Sequence, residues 1–439
     1  VPMGNYEAKS PDIERTRRGI NNIIWPTPIK WFAKSSGTTN AQSKFLPVSP
    51  EALEYCHYAA GKDLLCTYLH NHPDSQLFLG KSLRLGGSKT LYEDKGTIYG
   101  DLSAILIDNM PFWAEFSSTP SNEVSLLSDW AVKLQAIVDE TTKENVTSLA
   151  GVPSWMLVLL HEVMSTTQVS HLHEVWPQLE VYFHGGVSFE PYIDQYKPLL
   201  PHSDFRYYEI YNASEGFFAI QDRSDRNDLL LMLDYGIFYE FIPMDTYKTD
   251  HEKVLLLSEV EIGVNYAMVI TTNAGLWRYK IGDTMRFTSR DPYRIKISGR
   301  TRHHINVFGE ELVVENAERG LRIACLVHHA EIVDYTVGPI FMEGRNKGGH
   351  HWLIEFKKAP KDLAAFTDTL DQELKAANSD YQAKRHGNIT LNPPVVEIAR
   401  PQLFYQWLES KEKLGGQHKV PRLSNKRDFL EEMLARNAS

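Results

Sequence analysis

Cysteine is nearly missing from this sequence. Three occur in 439 residues, Cys56, Cys66 and Cys325, and none are in a CxxC spacing. That excludes a disulfide framework and a cysteine-based structural zinc site, and it fits a reducing cytoplasm. Long apolar runs are missing too. The most apolar stretches, such as residues 155–160 and 229–233, fall far short of the roughly 20 residues a membrane helix requires, and the opening residues carry no signal-peptide pattern. Nor is there a surplus of positive charge. Lys and Arg number 46 against 56 Asp and Glu, a formal charge of -10 with no basic stripe or tail, which argues against a general nucleic-acid binder. Any phosphate bound here is expected on a small molecule.

What is present is an ordinary globular composition, 42% hydrophobic and 23% charged, in a chain long enough for two or three domains. The chain opens on VPMGNYEAKSPDIERTRRGI, without an initiating Met. This has the character of mid-domain sequence, so a preceding segment is expected. Apolar spacing predicts helices over 50–68 and 122–139, and a buried helix over 150–164 with Pro153 near its start. Short strands are expected at 179–186 and within 205–221, and a β-rich stretch over 227–286. From about 331 the pattern changes to strand, helix, strand, ending in a helix from Lys426. Gly299 and Arg300 suit a hinge. The expected architecture is therefore α/β: a large domain of mixed α/β layers with a β-rich subdomain over 1–298, and a smaller mobile α+β cap over 299–439. No internal repeats are present.

Four short stretches carry chemistry. KSSGTTNAQSK, residues 34–44, sets small and hydroxyl-bearing side chains around one glycine with a lysine at each end, a composition suited to wrapping phosphate. It is not a Walker loop, because no second Gly precedes a Lys-Ser or Lys-Thr pair. Alone, it is equally a polar surface turn. YNASEG, residues 211–216, packs stacking, hydrogen-bonding and metal-binding groups into one turn, as an adenosine phosphate with magnesium would require. WRYKIGD, residues 277–283, ends in a carboxylate that can take ribose hydroxyls; its plain alternative is a hairpin turn. GGQHKVPRL, residues 415–423, places Lys419 in a glycine-flanked loop from which a cation could reach a phosphate, though a solvated basic loop would look the same.

Taken in order along the chain, these stretches resemble the adenylate-forming superfamily, which includes acyl-CoA ligases and luciferase. Their wording resembles more narrowly the Gretchen Hagen, or auxin-responsive promoter, family of acyl acid amido synthetases in a bacterial-type version. The resemblance implies the adenylate-forming enzyme fold, ATP and Mg2+ as cofactors, and a small carboxylic acid and an amine, an amino acid by expectation, as substrates. It further implies that Ser35, Ser36, Gly37, Thr38 and Thr39 form the phosphate loop closed by Lys44. Gly185 and Gly186 would lie on the adenine side, with Tyr211 stacking on adenine and Asn212 at its edge. Ser214 would contact phosphate and Glu215 would bind the metal. Asp283 would hold the ribose, Arg300 would be the hinge-side cation, and Lys419 the mobile lysine of the cap. Catalytic weight falls on Lys419, Glu215 and Arg300.

Two departures stand out. The usual superfamily loop continues Gly-x-Pro-Lys-Gly, whereas Asn40, Ser43 and Phe45 occur here. Lys419 stands in Gln-His-Lys-Val-Pro rather than Gly-Lys, which disfavours CoA as acceptor and leaves an acyl-CoA ligase as the alternative. Other classes fare worse. Neither serine turn has the Gly-x-Ser-x-Gly elbow of a hydrolase. The histidines at 171 and 173 and the pairs 303/304, 328/329 and 350/351 do not make a zinc site by sequence, because neighbours on a strand point to opposite faces. A silent ligand-binding homologue is disfavoured by the retained Glu215, Asp283 and Lys419. The acyl group is expected to lie against 99–116 and 152–160. Neither the acid, the amine nor the oligomeric state follows from the sequence.

Overall fold

The computed structural model describes every residue except 36–43, 87–91, 95, 128–129, 188, 190–191, 302–303, 311, 343–346, 386–390, 411–420 and 439. The chain divides after Thr301 into two compact units. Gly299 and Arg300, expected at a hinge, are the last pairs of a strand ladder in the first unit, opposite Thr284 and Asp283.

Among the described residues, the main sheet of the first unit has twelve strands. One half is parallel, with Lys81–Leu85, Val146–Gly151, Val181–Gly185 and Arg206–Ala213 side by side in that order. Parallel neighbours need a crossover, and helix Pro153–Thr167 supplies one. It starts at Pro153, where a fixed φ and a missing N–H cost nothing, and it buries Met156, Leu157, Leu159, Leu160 and Val163. The other half is antiparallel and runs Gly216–Ile220, Leu229–Leu231, Tyr293–Arg300, Tyr279–Arg290, Asn265–Thr272, Ile237–Pro243 and Leu255–Leu256. This is the strand-rich stretch expected from the sequence, and the unit has the mixed α/β layers with a β-rich extension.

A second sheet forms around Trp31–Ser35, which pairs antiparallel with Lys44–Val48 and parallel with Thr97–Gly100. Both sheets feed one apolar core containing Phe32, Tyr208, Tyr211, Phe218 and Tyr279. Two helices depart from their expected form. The 50–68 segment is helical but includes a π-helical turn, Leu53–Tyr58. The 122–139 segment is two helices, Asn122–Ser125 and Trp130–Thr141, a break that apolar spacing does not register.

The second unit is α+β. Glu331–Ile340 and Gly349–Lys358 pair antiparallel, and Val395–Ala399 adds in parallel. Helix Leu363–Ala377 buries Phe366, Leu370, Leu374 and Ala377, one stripe at helical spacing, and Asp362 caps it by accepting from the Ala365 amide at 3.0 Å. The final helix, Asp428–Asn437, buries Leu430 and Met433 against Leu353, Phe404 and Trp407. Among the described residues no helix is long and apolar enough to cross a membrane.

Candidate functional site

Parallel strands present their carboxyl ends on one edge of the sheet, where open α/β sheets bind ligands. Here the register sets Leu85 opposite Gly151, Gly151 opposite His184 and Gly185 opposite Ile210. Gly185 has no room for a side chain: a Cβ would stand 2.6 Å from the Ile210 carbonyl oxygen and 3.2 Å from Asn212 Oδ1. Gly186 adopts φ +82°, which side chains resist. The glycine pair singled out in the sequence therefore ends a strand, and Asn212 lies against it.

Beyond Tyr211 the chain turns sharply. Ala213 pairs with Gly216, leaving Ser214 and Glu215 as a two-residue hairpin turn. On the far side of the sheet, Lys280 to Thr284 oppose only Val269 to Ala267, so the Tyr279–Arg290 strand bulges around Gly282, at φ +99°. Bulges re-aim side chains. Asp283, the next residue, is buried with 6% exposure.

The two motifs then pair reciprocally. The Tyr211 hydroxyl donates to Asp283 Oδ2 at 2.6 Å, and Arg300, opposite Asp283 in the ladder, donates from Nε to Oδ1 at 2.9 Å. In return, the Tyr279 hydroxyl is hydrogen-bonded to Glu215. Each motif thus gives one phenol and takes one carboxylate. Burial, reinforced by the adjoining carboxylate, raises both phenols well above their ordinary pKa, so both are protonated donors at neutral pH.

The residues flanking 36–43 connect to this pairing through Tyr6. Ser35 and Lys44 face each other across the ladder, and Lys44 Nζ stands 5.9 Å from the centre of the Tyr6 ring. The Tyr6 hydroxyl accepts from the Phe45 amide at 2.9 Å, and Tyr6 acts through space on Tyr279. Ser36, Gly37, Thr38, Thr39 and Lys419 lie outside the described residues. Sequence reasoning passed over Tyr279 although it stands within WRYKIGD, four residues before Asp283. It passed over Tyr6 too, which has no motif around it.

The histidines make a different picture. His173 and His202 stack with centroids 3.6 Å apart and planes 8° off parallel. Ring-nitrogen lone pairs lie in the ring planes, so stacked rings do not converge on one ion. Among the described residues, no group of three or more His, Cys, Asp or Glu is placed to hold a metal.

Comparison with known proteins agrees along almost the whole chain. Residues 1–205 match the GH3 family N-terminal domain, 230–300 the GH3 family central domain and 314–428 the GH3 family C-terminal domain. The chain belongs to the GH3 family. This GH3 protein is 23% identical over 270 residues to indole-3-acetic acid-amido synthetase GH3.3 of Arabidopsis thaliana, a match covering 57% of this chain and 44% of that protein. The chain thus aligns with less than half the length of that relative. Among solved structures, it shares its fold with AtGH3.15 acyl acid amido synthetase in complex with 2,4-DB, at TM-score 0.60 and 17% identity, over 100% of this chain and 87% of that one. A 2-hydroxyisobutyryl-CoA ligase in complex with 2-HIB-AMP and CoA is similar at TM-score 0.55 and 13% identity, over 99% and 82% of the two chains. The chain shares the fold of both enzymes.

Proposed function

We propose that this chain is an ATP-dependent acyl acid amido synthetase. It would join a carboxylic acid to ATP, releasing pyrophosphate, and then pass the acyl group from the acyl-adenylate to an amine, an amino acid by preference, releasing AMP. The observation that carries this reading is the reciprocal pairing of Tyr211 with Asp283 and of Tyr279 with Glu215 at the carboxyl edge of a parallel sheet. The GH3 relative named as an amido synthetase supports it.

The residues suit the roles. A carboxylate offers about four lone-pair positions; Asp283 uses one for Tyr211 and one for Arg300, which leaves acceptors for two ribose hydroxyls. Tyr211, anchored through its hydroxyl, keeps a fixed ring orientation beside Asn212 and Gly185. Glu215, in the hairpin turn, would offer its carboxylate to the metal. A single carboxylate completed by substrate phosphates is how Mg2+ is commonly held, so the donor set fits that ion, which when bound would offset phosphate charge. The loop with Ser35, Ser36, Gly37, Thr38, Thr39 and Lys44 would enclose the outer phosphates, and Lys419 would neutralise charge developing at the α-phosphate. Splitting amide synthesis in two lowers the barrier because AMP leaves far more readily than hydroxide.

Incubation with ATP, Mg2+, a panel of acids and a panel of amino acids, read by mass spectrometry, tests the reading. The expected product is an N-acyl amino acid with one AMP per amide. Acid-dependent AMP release that ends only in acyl-CoA, and only when CoA is supplied, would replace it with a CoA ligase.

A further inference from the structure

Arg84 lies on the Lys81–Leu85 strand between Leu83 and Leu85, which are 0% and 8% exposed. Strand alternation turns it to the opposite face. What surrounds it there comes from Tyr58 and from the 99–116 segment, whose composition suits an acyl slot. Nη1 is 2.8 Å from Met110 Sδ, the Tyr58 hydroxyl donates to the Leu106 carbonyl at 2.9 Å, and Glu115 and Tyr58 act on the guanidinium through space.

The guanidinium is poorly matched. Its Nε is buried with no hydrogen-bond partner among the described residues, and its Nη1 meets a thioether, a weak acceptor. Elsewhere the protein handles such groups differently. Arg294 binds Asp222 and Asp228, Arg385 binds Asp371, and Arg278 binds Glu240. Leaving a buried cationic donor unmade is costly. Burial pushes the Arg84 pKa down to about 10, so the group remains charged at neutral pH.

Its distance from the nucleotide residues is set by the sheet. Arg84 pairs with Ala150, Ala150 with Phe183, and Phe183 with Tyr208, three residues before Tyr211. Three strand spacings are roughly 14 Å. With Tyr211 a further three residues along its strand, a cation at Arg84 would be out of reach of the carboxylate that becomes the adenylate, yet within reach of the other end of the same molecule.

On the amido synthetase reading, we propose that Arg84 is the specificity residue for the far end of the acyl acid, and that the acid carries a second carboxylate there. That carboxylate would supply the charge-assisted bonds that Nε and Nη1 lack.

The test is acid-dependent ATP–pyrophosphate exchange with length-matched series of monocarboxylic, ω-hydroxy and α,ω-dicarboxylic acids, using the native sequence, Arg84→Met and Arg84→Lys. The native protein should favour dicarboxylic over matched monocarboxylic acids by about tenfold or more in kcat/KM. Arg84→Met should lose roughly 10- to 100-fold on dicarboxylic acids, mainly in KM, and shift its preference to monocarboxylic acids. Arg84→Lys should retain part of the dicarboxylate preference, and this arm, with the native profile, decides the matter if Arg84→Met fails to fold. Robust exchange with a purely apolar acid preferred by the native protein, or the same preference in all three proteins, overturns the inference alone. No exchange with any acid overturns the amido synthetase reading and this inference with it.

Discussion

Tyr211 and Asp283 stand 72 residues apart in sequence and share a buried hydrogen bond of 2.6 Å. They lie on strands that are not neighbours: Tyr293–Arg300, Leu229–Leu231 and Gly216–Ile220 intervene in the sheet order. The sheet must therefore curl for the bond to form. The bond ties the hairpin turn bearing Glu215 to the bulge bearing Asp283, and the Tyr279–Glu215 bond repeats the tie in reverse.

Removing the hydroxyl should be felt in both stability and binding. Tyr211→Phe is expected to cost about 1.5 to 3 kcal/mol of folding stability, the range for a hydrogen bond to a charged group, and to weaken ATP as Asp283 loses its fixed position. Asp283→Asn should weaken ATP by roughly 1 to 3 kcal/mol. Calorimetry with ATP and 2'-deoxy-ATP checks the assignment, because an unchanged ratio between the two ligands in Asp283→Asn would mean that this residue does not bind the sugar.

Glu215 calls for a substitution that respects Tyr279. Glu215→Ala would strand a buried phenol, whereas Glu215→Gln keeps an acceptor and removes only the charge. Glu215→Gln is expected to melt close to the native protein and to lose pyrophosphate exchange by about 10² or more, as for deletion of one charge-stabilising group. Near-native exchange would remove Glu215 from the metal role.

Lys419 should act in one half-reaction. If the second unit supplies it only for adenylation, Lys419→Ala is expected to slow that step by about 10² to 10³ while aminolysis of a supplied acyl-adenylate continues. Single-turnover assays of the two steps separate them. Equal losses in both would make the lysine a structural contact.

Acid should destabilise the first unit through two histidines. His57 and His184 are buried, and burial pushes their pKa values down to about 4 and about 3 from the ordinary 6.5. Below pH 6.5 the unfolded chain takes up protons that the folded chain refuses, so stability present above 6.5 is lost as pH falls toward 4, by up to about 1.4 kcal/mol per pH unit for each histidine. Carboxylates add to this slope, so the native protein is compared with His184→Phe, whose ring can still stack on Phe189, 4.2 Å away in the native contact. Urea denaturation at pH 7, 5.5 and 4.5 should show a shallower loss in the variant. Parallel losses would mean that His184 protonates freely in the folded state.

Much of this was legible in the sequence, and the reasons are local. Pro153 and the apolar positions after it announce their helix, whereas Gly282 before Asp283 suggests a hairpin turn and instead marks a bulge within one strand. The glycine pair 185–186 marks a strand end because local backbone needs drive residue choice there. What stayed hidden depends on the curl of the sheet. Nothing near Tyr279 indicates that its hydroxyl meets a turn more than sixty residues earlier, and Arg84 resembles any strand arginine until its buried, unpartnered Nε is seen. The break within 122–139 was missed for the opposite reason, since apolar spacing continues across it.

Acid-dependent ATP–pyrophosphate exchange tests the adenylation site most directly. With Mg2+, ATP, labelled pyrophosphate and a carboxylic acid the protein accepts, label should enter ATP without any amine, stop when the acid is withheld, and fall by about 10² or more in Glu215→Gln. Exchange with none of a broad panel of acids, or exchange indifferent to Glu215, would contradict an acyl-adenylate made at the paired Tyr211–Asp283 and Tyr279–Glu215 site.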